Sequence, residues 1–262
     1  MILLTGATGF VGQAILRSRD DVIACPSLRD VTAEEVRRIV AQSGADTIIH
    51  TAAISDIGTC EADPEASFRA NVLLPVYLAQ AAEGVKLICF SSDQVYSGRP
   101  EAGPYTEDAV CPANTYARHK LEMEQRVLDI SPDAVMLRAE WMYGYYEKKG
   151  NYLMNIIGAK EKISFSSKQY RGITYVKDVA RNMDAVMALP GGAYNFGSET
   201  TKSMYAITRD FLHMIGKQID LEDGPARHNL WMNCEKARLL GVDFPSVEEG
   251  LRACAVDHQL IK

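Results

Sequence analysis

The sequence lacks an excess of positive charge. Its 28 Lys and Arg face 34 Asp and Glu, for a net charge of −6, so the basic footprint of a nucleic-acid binder is missing. Short basic pairs such as Arg37-Arg38 and Lys148-Lys149 read as solvated surface. The six cysteines (Cys25, Cys60, Cys89, Cys111, Cys234 and Cys254) include no Cys-x-x-Cys pair, and no His-rich tract accompanies them. That pattern argues against a zinc site and against a disulfide framework, and it fits a reducing cytoplasm. No apolar run is long enough to cross a bilayer, and no charged leader precedes the strand-like Met1-Ile2-Leu3-Leu4. The expectation is a cytoplasmic protein that binds neither membrane nor nucleic acid. Low-complexity linkers and internal repeats are also missing, which excludes tethered domains and solenoids.

What remains is 262 residues with 47% apolar content, enough for one large core. Short apolar runs alternate with amphipathic segments. Met1–Leu4, Val22–Cys25, Thr47–His50, Val85–Phe90 and Ala134–Leu137 read as strands. Phe10–Arg19, Pro64–Ala82 and Ala113–Leu128 read as helices. A further helix runs from a Thr32 cap, with Glu35 three residues on, to about Ser43, where Gly44 ends it. This rhythm predicts an α/β fold, a Rossmann-like doubly wound parallel sheet with a small C-terminal substrate lobe. Residues 1–144 form the dinucleotide-binding part, with 170–190 returning to it, and 145–262 form mainly the lobe. Tyr143–Asn151 reads as a loop. Helical segments are expected near 152–160, 176–189, 203–216, 233–240 and 246–258, with Asp178, Asn233 and Ser246 as start residues.

Thr5-Gly6-Ala7-Thr8-Gly9-Phe10-Val11-Gly12 joins the first strand to the first helix. Glycines there permit a tight turn and close backbone approach, and the helix N-terminus offers free N–H groups to a pyrophosphate. The second strand ends Ala24-Cys25-Pro26-Ser27 with no acid at its tip, while Arg29 lies near enough to meet a 2′-phosphate. This favours NADP(H), with NAD(H) as the alternative. Asp30 seats the adenine or caps the next turn. Thr47–His50 runs into Thr51-Ala52-Ala53, where small residues permit close approach to a cofactor. Tyr116 and Lys120, four residues apart, share one helix face. Reduction of a carbonyl needs a proton donor at oxygen. A nearby ammonium and the helix N-terminus both lower a phenol's pKa. The strand ending at Phe90 leads into Ser91-Ser92-Asp93-Gln94, which places the Ser92 hydroxyl at the carboxyl edge of the sheet. His50 and His119 read as structural, and Met183 and Met187 as core filler.

Taken together, these stretches resemble the extended short-chain dehydrogenase/reductases that act on nucleotide sugars, and within them the dTDP-4-dehydrorhamnose reductase group. Cys60–Pro64, Arg138–Gly144, Gly172–Ala180 and Pro245–Leu251 extend the resemblance over nearly the whole chain. It implies NAD(P)H-dependent reduction of a 4-keto sugar. Tyr116 is then the proton donor, Lys120 its activator and ribose anchor, with both also in the cofactor-binding set, and Ser92 the hydrogen-bond donor to the substrate. Gly6, Thr8, Gly9, Phe10, Val11 and Gly12 form the pyrophosphate loop, Ala52, Ala53 and Asn71 line the cofactor site, and Asp93, Gln94 and Trp141 meet the sugar. Gln94 stands where related dehydratases carry a glutamate, and an amide cannot act as acid or base. The group usually has Thr-Asp-Tyr in place of Ser92-Asp93-Gln94 and Thr-Ser in place of Ala139-Glu140. Ala14 replaces the glutamate with which some members bind magnesium, so no metal is expected. The resemblance also allows a homodimer, a cofactor-binding subunit without turnover, and an epimerase.

Overall fold

The computed structural model describes residues 1–146, 150–225 and 228–261, so Lys148-Lys149 and part of the expected Tyr143–Asn151 loop lie outside the described residues. Five strands of the first half, β1 (Ile2–Thr5), β2 (Val22–Ala24), β3 (Thr47–His50), β4 (Lys86–Ser92) and β5 (Val135–Ala139), lie parallel in one sheet. The chain then forms β6 (Trp141–Tyr143), β7 (Lys162–Phe165) and β8 (Ile173–Tyr175) outside that sheet. It returns as β9 (Gly192–Phe196), parallel to β5, before β10 (Asp220–Asp223). The large sheet runs β2-β1-β3-β4-β5-β9, while β6 pairs with β8 and β7 with β10. The order reverses direction at β1, between β2 and β3, and this topological switch point opens a crevice above the carboxyl ends of β1 and β3.

Side chains alternate across the sheet. Ile2, Leu4, Ile49, Ile88 and Leu137 pack on one face against α1 (Phe10–Ser18), α8 (Val176–Arg181) and α9 (Met183–Met187). Leu3, Ile48, Leu87, Cys89 and Met136 pack on the other against α2 (Ala33–Ser43), α5 (Leu74–Ala81) and α6 (Thr115–Ile130). Each fully buried Leu or Ile contributes about 1.5–3 kcal/mol. A third cluster joins Tyr143, Tyr152, Tyr175 and Phe211 between β6, β8, α7 (Tyr152–Gly158), α10 (Met204–Met214) and α12 (Val247–Asp257). No helix among the described residues is long and apolar enough to cross a membrane.

Local signals explain most helix ends. Thr32 and Glu35 form the expected capping box, and Gly44 closes α2 in the left-handed conformation (φ 61°). Ser246 and Glu249 form a second box at α12. Asp178 is not a cap. It lies inside the first turn of α8, buried and paired with Arg181 at 2.6 Å. Asn233 accepts from the Glu235 N–H, one position before the cap of α11 (Glu235–Arg238). The expected helix over 64–82 forms, with a π-helical turn inside it. Asp63 caps α4 (Pro64–Phe68), a π-helical turn spans Arg69–Leu73, and α5 follows.

Candidate active site

The glycine loop is built by close approach. Gly6 has φ +70°, and a Cβ on it would lie 2.7 Å from both the Ala52 nitrogen and the Thr51 hydroxyl. A Cβ on Gly12 would lie 2.1 Å from the Gly6 carbonyl oxygen, so α1 seats directly on the loop. Gly9 caps α1 with no side chain, and no acid occupies the first turn, which leaves N–H groups and the positive helix end facing outward. Above this loop is a cavity of about 690 Å³. Gly6, Thr8, Gly9, Arg29, Asp30, Ala52 and Ala53 all line it, as does Arg69, which the sequence did not single out. Phe10, Val11, Gly12 and Asn71 lie behind the wall. Phe10 packs at a tilt against Tyr146 with centroids 5.2 Å apart, and Val11 packs into the core. Asn71 is fully buried and clasps Ile54, donating to its carbonyl at 2.9 Å and accepting from its N–H at 3.2 Å.

The carboxyl end of β4 meets the start of α6. Ser92 caps a 3₁₀ turn over Asp93–Tyr96, accepting from the Gln94 N–H at 3.2 Å. Asn114 caps α6 and also donates to Gln94 Oε1 at 3.1 Å, which ties the two segments together. Glu61, from α3 (Ile57–Ala62), accepts from the Thr115 N–H at 2.6 Å and from its hydroxyl at 2.9 Å. Tyr116 is thereby held in the first turn of α6, and the Ser92 hydroxyl, which donates to Asp93 Oδ1 at 3.1 Å, acts on its phenol. Lys120 lies one turn further on, with Nζ 5.8 Å from the Tyr116 ring centre. Both side chains are buried.

The electrostatics differ from the sequence expectation. Burial pushes the Tyr116 phenol above its usual range, and the nearby Ser92 hydroxyl only partly offsets this. The Lys120 ammonium donates to the Phe90 carbonyl at 2.7 Å and is itself brought down to about 8 by burial. His50 lies beneath, bonded through Nδ1 to the Thr5 hydroxyl at 2.7 Å and lowered to about 3 by burial, so it is neutral and structural. His119 meets the Ser67 hydroxyl at 2.8 Å.

Next to Ser92, Asp93 is buried and ion-paired with Arg171 at 2.5 Å. The Arg171 guanidinium lies over Trp141, 5.6 Å from its ring centre, and its Nε is buried with no hydrogen-bond partner. Trp141 and Arg171 share a cavity of about 610 Å³ with Asn155, Lys162 and Gln169. Glu140, one of the departures from the reductase pattern, does not line that cavity. Its carboxyl accepts from Thr174 at 2.6 Å and fills space that Gly172 and Gly197 leave open, where a Cβ would fall 2.0 and 2.2 Å from it. Burial raises it to about 8, so it is largely uncharged at neutral pH. Arg171 escaped the sequence reading because it lies in an irregular stretch before β8, and a lone arginine there carries no periodic or motif signal.

Comparison with known proteins agrees with this architecture. Residues 1–226 match the family model described as the RmlD substrate binding domain. Methionine adenosyltransferase 2 subunit beta of Xenopus tropicalis is 35% identical over 201 residues, 68% of this chain and 59% of that protein. The chain therefore spans under two thirds of that relative's length. A dTDP-4-dehydrorhamnose reductase of Mycolicibacterium smegmatis is 36% identical over 151 residues, 54% of this chain and 46% of that enzyme. Among solved structures, dTDP-4-dehydrorhamnose reductase of Bacillus anthracis, in complex with NADP, superposes with a TM-score of 0.85 over 98% of each chain at 21% identity. With most of its length matched by that model, the chain belongs to the RmlD substrate binding domain family, within the extended short-chain dehydrogenase/reductases.

Proposed function

We propose that this protein is an NADPH-dependent oxidoreductase that reduces the keto group of a nucleotide-linked sugar. The observation that carries this reading is the buried Ser92–Tyr116–Lys120 group at the carboxyl edge of β4, beside a crevice whose wall tolerates no side chain at Gly6 or Gly12. The crevice fits a dinucleotide. Backbone can approach a pyrophosphate there, and the uncapped start of α1 faces it. Gly6, Thr8, Gly9, Ala52 and Ala53 would hold the dinucleotide, with Phe10, Val11, Gly12 and Asn71 bracing the wall. Arg29 at the far end supports NADPH, as do the NADP-bound relatives of the same fold.

The reduced nicotinamide supplies hydride. The protein's residues supply the rest. Ser92 donates a hydrogen bond to the keto oxygen, and Tyr116 gives that oxygen its proton. Burial keeps the phenol protonated before reaction, and the Lys120 ammonium one helical turn away favours the phenolate left behind when the proton is given up. Trp141 offers a flat apolar wall for the sugar. Arg171, whose guanidinium side chain lines the second cavity, suits an anionic group of the substrate. Gln94 leaves no titrating group where a dehydratase needs one, which favours simple reduction. Residues 145–262 then act mainly as the substrate lobe, and six unpaired cysteines support a cytoplasmic setting.

A second reading is a cofactor-binding subunit without turnover, favoured by the relatives named as a subunit of methionine adenosyltransferase. The test is steady consumption of NADPH with 4-keto nucleotide sugars. Turnover supports reduction, whereas tight cofactor binding with no oxidation across the panel would establish the subunit reading instead.

A further inference from the structure

The adenosine end of the crevice carries more charge than the sequence motif indicated. Arg69 opens the π-helical turn Arg69–Leu73, the only such turn among the described residues. Turns of this kind recur at functional sites. Asn71, within the turn, is pinned by its two hydrogen bonds to Ile54. Arg69 lines the dinucleotide cavity between Ala66 and Ala70, whose small side chains leave that wall open. Asp30, a non-glycine residue at φ +62°, lines the same cavity with its carboxylate 3.8 Å from Arg69 Nε. Both side chains are more than half exposed, so this is a weak, displaceable pair. Arg29 lines the same cavity next to Asp30.

From this arrangement we infer that Arg69 is a specificity-determining residue, the second cation that with Arg29 selects a 2′-phosphate over a 2′-hydroxyl, and that Asp30 opposes it. The inference rests on the proposed dinucleotide site. A phosphomonoester brings about −1.5 to −2 charges and three acceptor oxygens, which a planar guanidinium meets with two parallel donors. A 2′-hydroxyl offers no such charge and is served by an acid such as Asp30. The two arginines therefore favour NADPH, and the aspartate favours NADH.

The test is a fluorescence titration of NADPH and NADH with wild type, Arg69→Ala, Arg69→Lys and Asp30→Ala. Arg69→Ala should weaken NADPH about tenfold or more, the worth of one hydrogen bond to a charged group, and leave NADH within about twofold. Arg69→Lys should recover part of the loss, since it keeps charge without the fork. Asp30→Ala should move the ratio the other way. Retained NADH binding shows that each variant is folded. An NADPH to NADH ratio unmoved by Arg69→Ala, in a protein whose wild type binds both, overturns this inference alone. A wild type that binds neither overturns the proposed function and this inference with it.

Discussion

Three glycines of one loop should respond to alanine in three different ways. Gly12→Ala places a methyl 2.1 Å from the Gly6 carbonyl oxygen, 2.8 Å from its carbon and 2.9 Å from Ala7 Cα. All three neighbours are main chain, so relief requires α1 to lift from the loop, and overpacking of this kind costs about 1–3 kcal/mol or more. Gly6→Ala combines two penalties. A left-handed conformation costs a non-glycine residue about 1–2 kcal/mol, and contacts at 2.7 Å with Ala52 and Thr51 add overpacking. Its total is about 2–5 kcal/mol. Gly9→Ala meets one atom, the Gly6 oxygen at 3.1 Å, from a backbone at φ −78°. It loses mainly capping preference, about 1 kcal/mol or less. At this chain length each kcal/mol moves the melting temperature by about 2–4 °C. Differential scanning calorimetry should therefore rank Gly6→Ala and Gly12→Ala well below Gly9→Ala. A Gly9→Ala variant that melts lowest would refute the steric reading of the loop.

Two further outcomes follow from buried charge. Glu124 and Arg138 form a fully enclosed pair at 2.7 Å, with Ser91 and Tyr96 also bound to it. Glu124→Gln leaves the guanidinium without a counter-charge and should lower stability by about 3–5 kcal/mol in urea unfolding, whereas a change under 1 kcal/mol would contradict that. His50 is held near 3 against an ordinary 6.5, so between those values the unfolded chain binds a proton that the native one does not. Its contribution is fully present above about pH 6.5 and is lost as pH falls towards 3, by at most about 1.4 kcal/mol per pH unit. Unfolding of His50→Gln should show a shallower acid limb than wild type, and identical slopes would exclude His50 as its source.

Where chemistry is local, the sequence is readable. The α2 capping box, the glycine loop and the Tyr116–Lys120 spacing each depend on residues within a few positions of one another, and all three appear as expected. Non-local features leave no such trace. β9 pairs with β5 more than fifty residues earlier, and its Asn195 is buried because Tyr96, Tyr105 and Asn233 satisfy it, which breaks the apolar pattern. The π turn is invisible in a stretch whose apolar spacing reads as one helix. Arg69, Arg171 and Glu140 gain meaning only from partners at Asp30, Asp93 and Gly197. The Tyr116 phenol is also instructive. Spacing predicts the ammonium beside it, but burial sets the direction in which its acidity shifts.

In the proposed reductase the Tyr116 hydroxyl delivers the proton. Comparing Tyr116→Phe with wild type tests this directly, with NADPH affinity and turnover on a 4-keto nucleotide sugar measured on the same samples. Unchanged NADPH affinity with kcat lower by about 10²–10⁴, the usual worth of a positioned acid, is the predicted result. Equal turnover in the two proteins would contradict it.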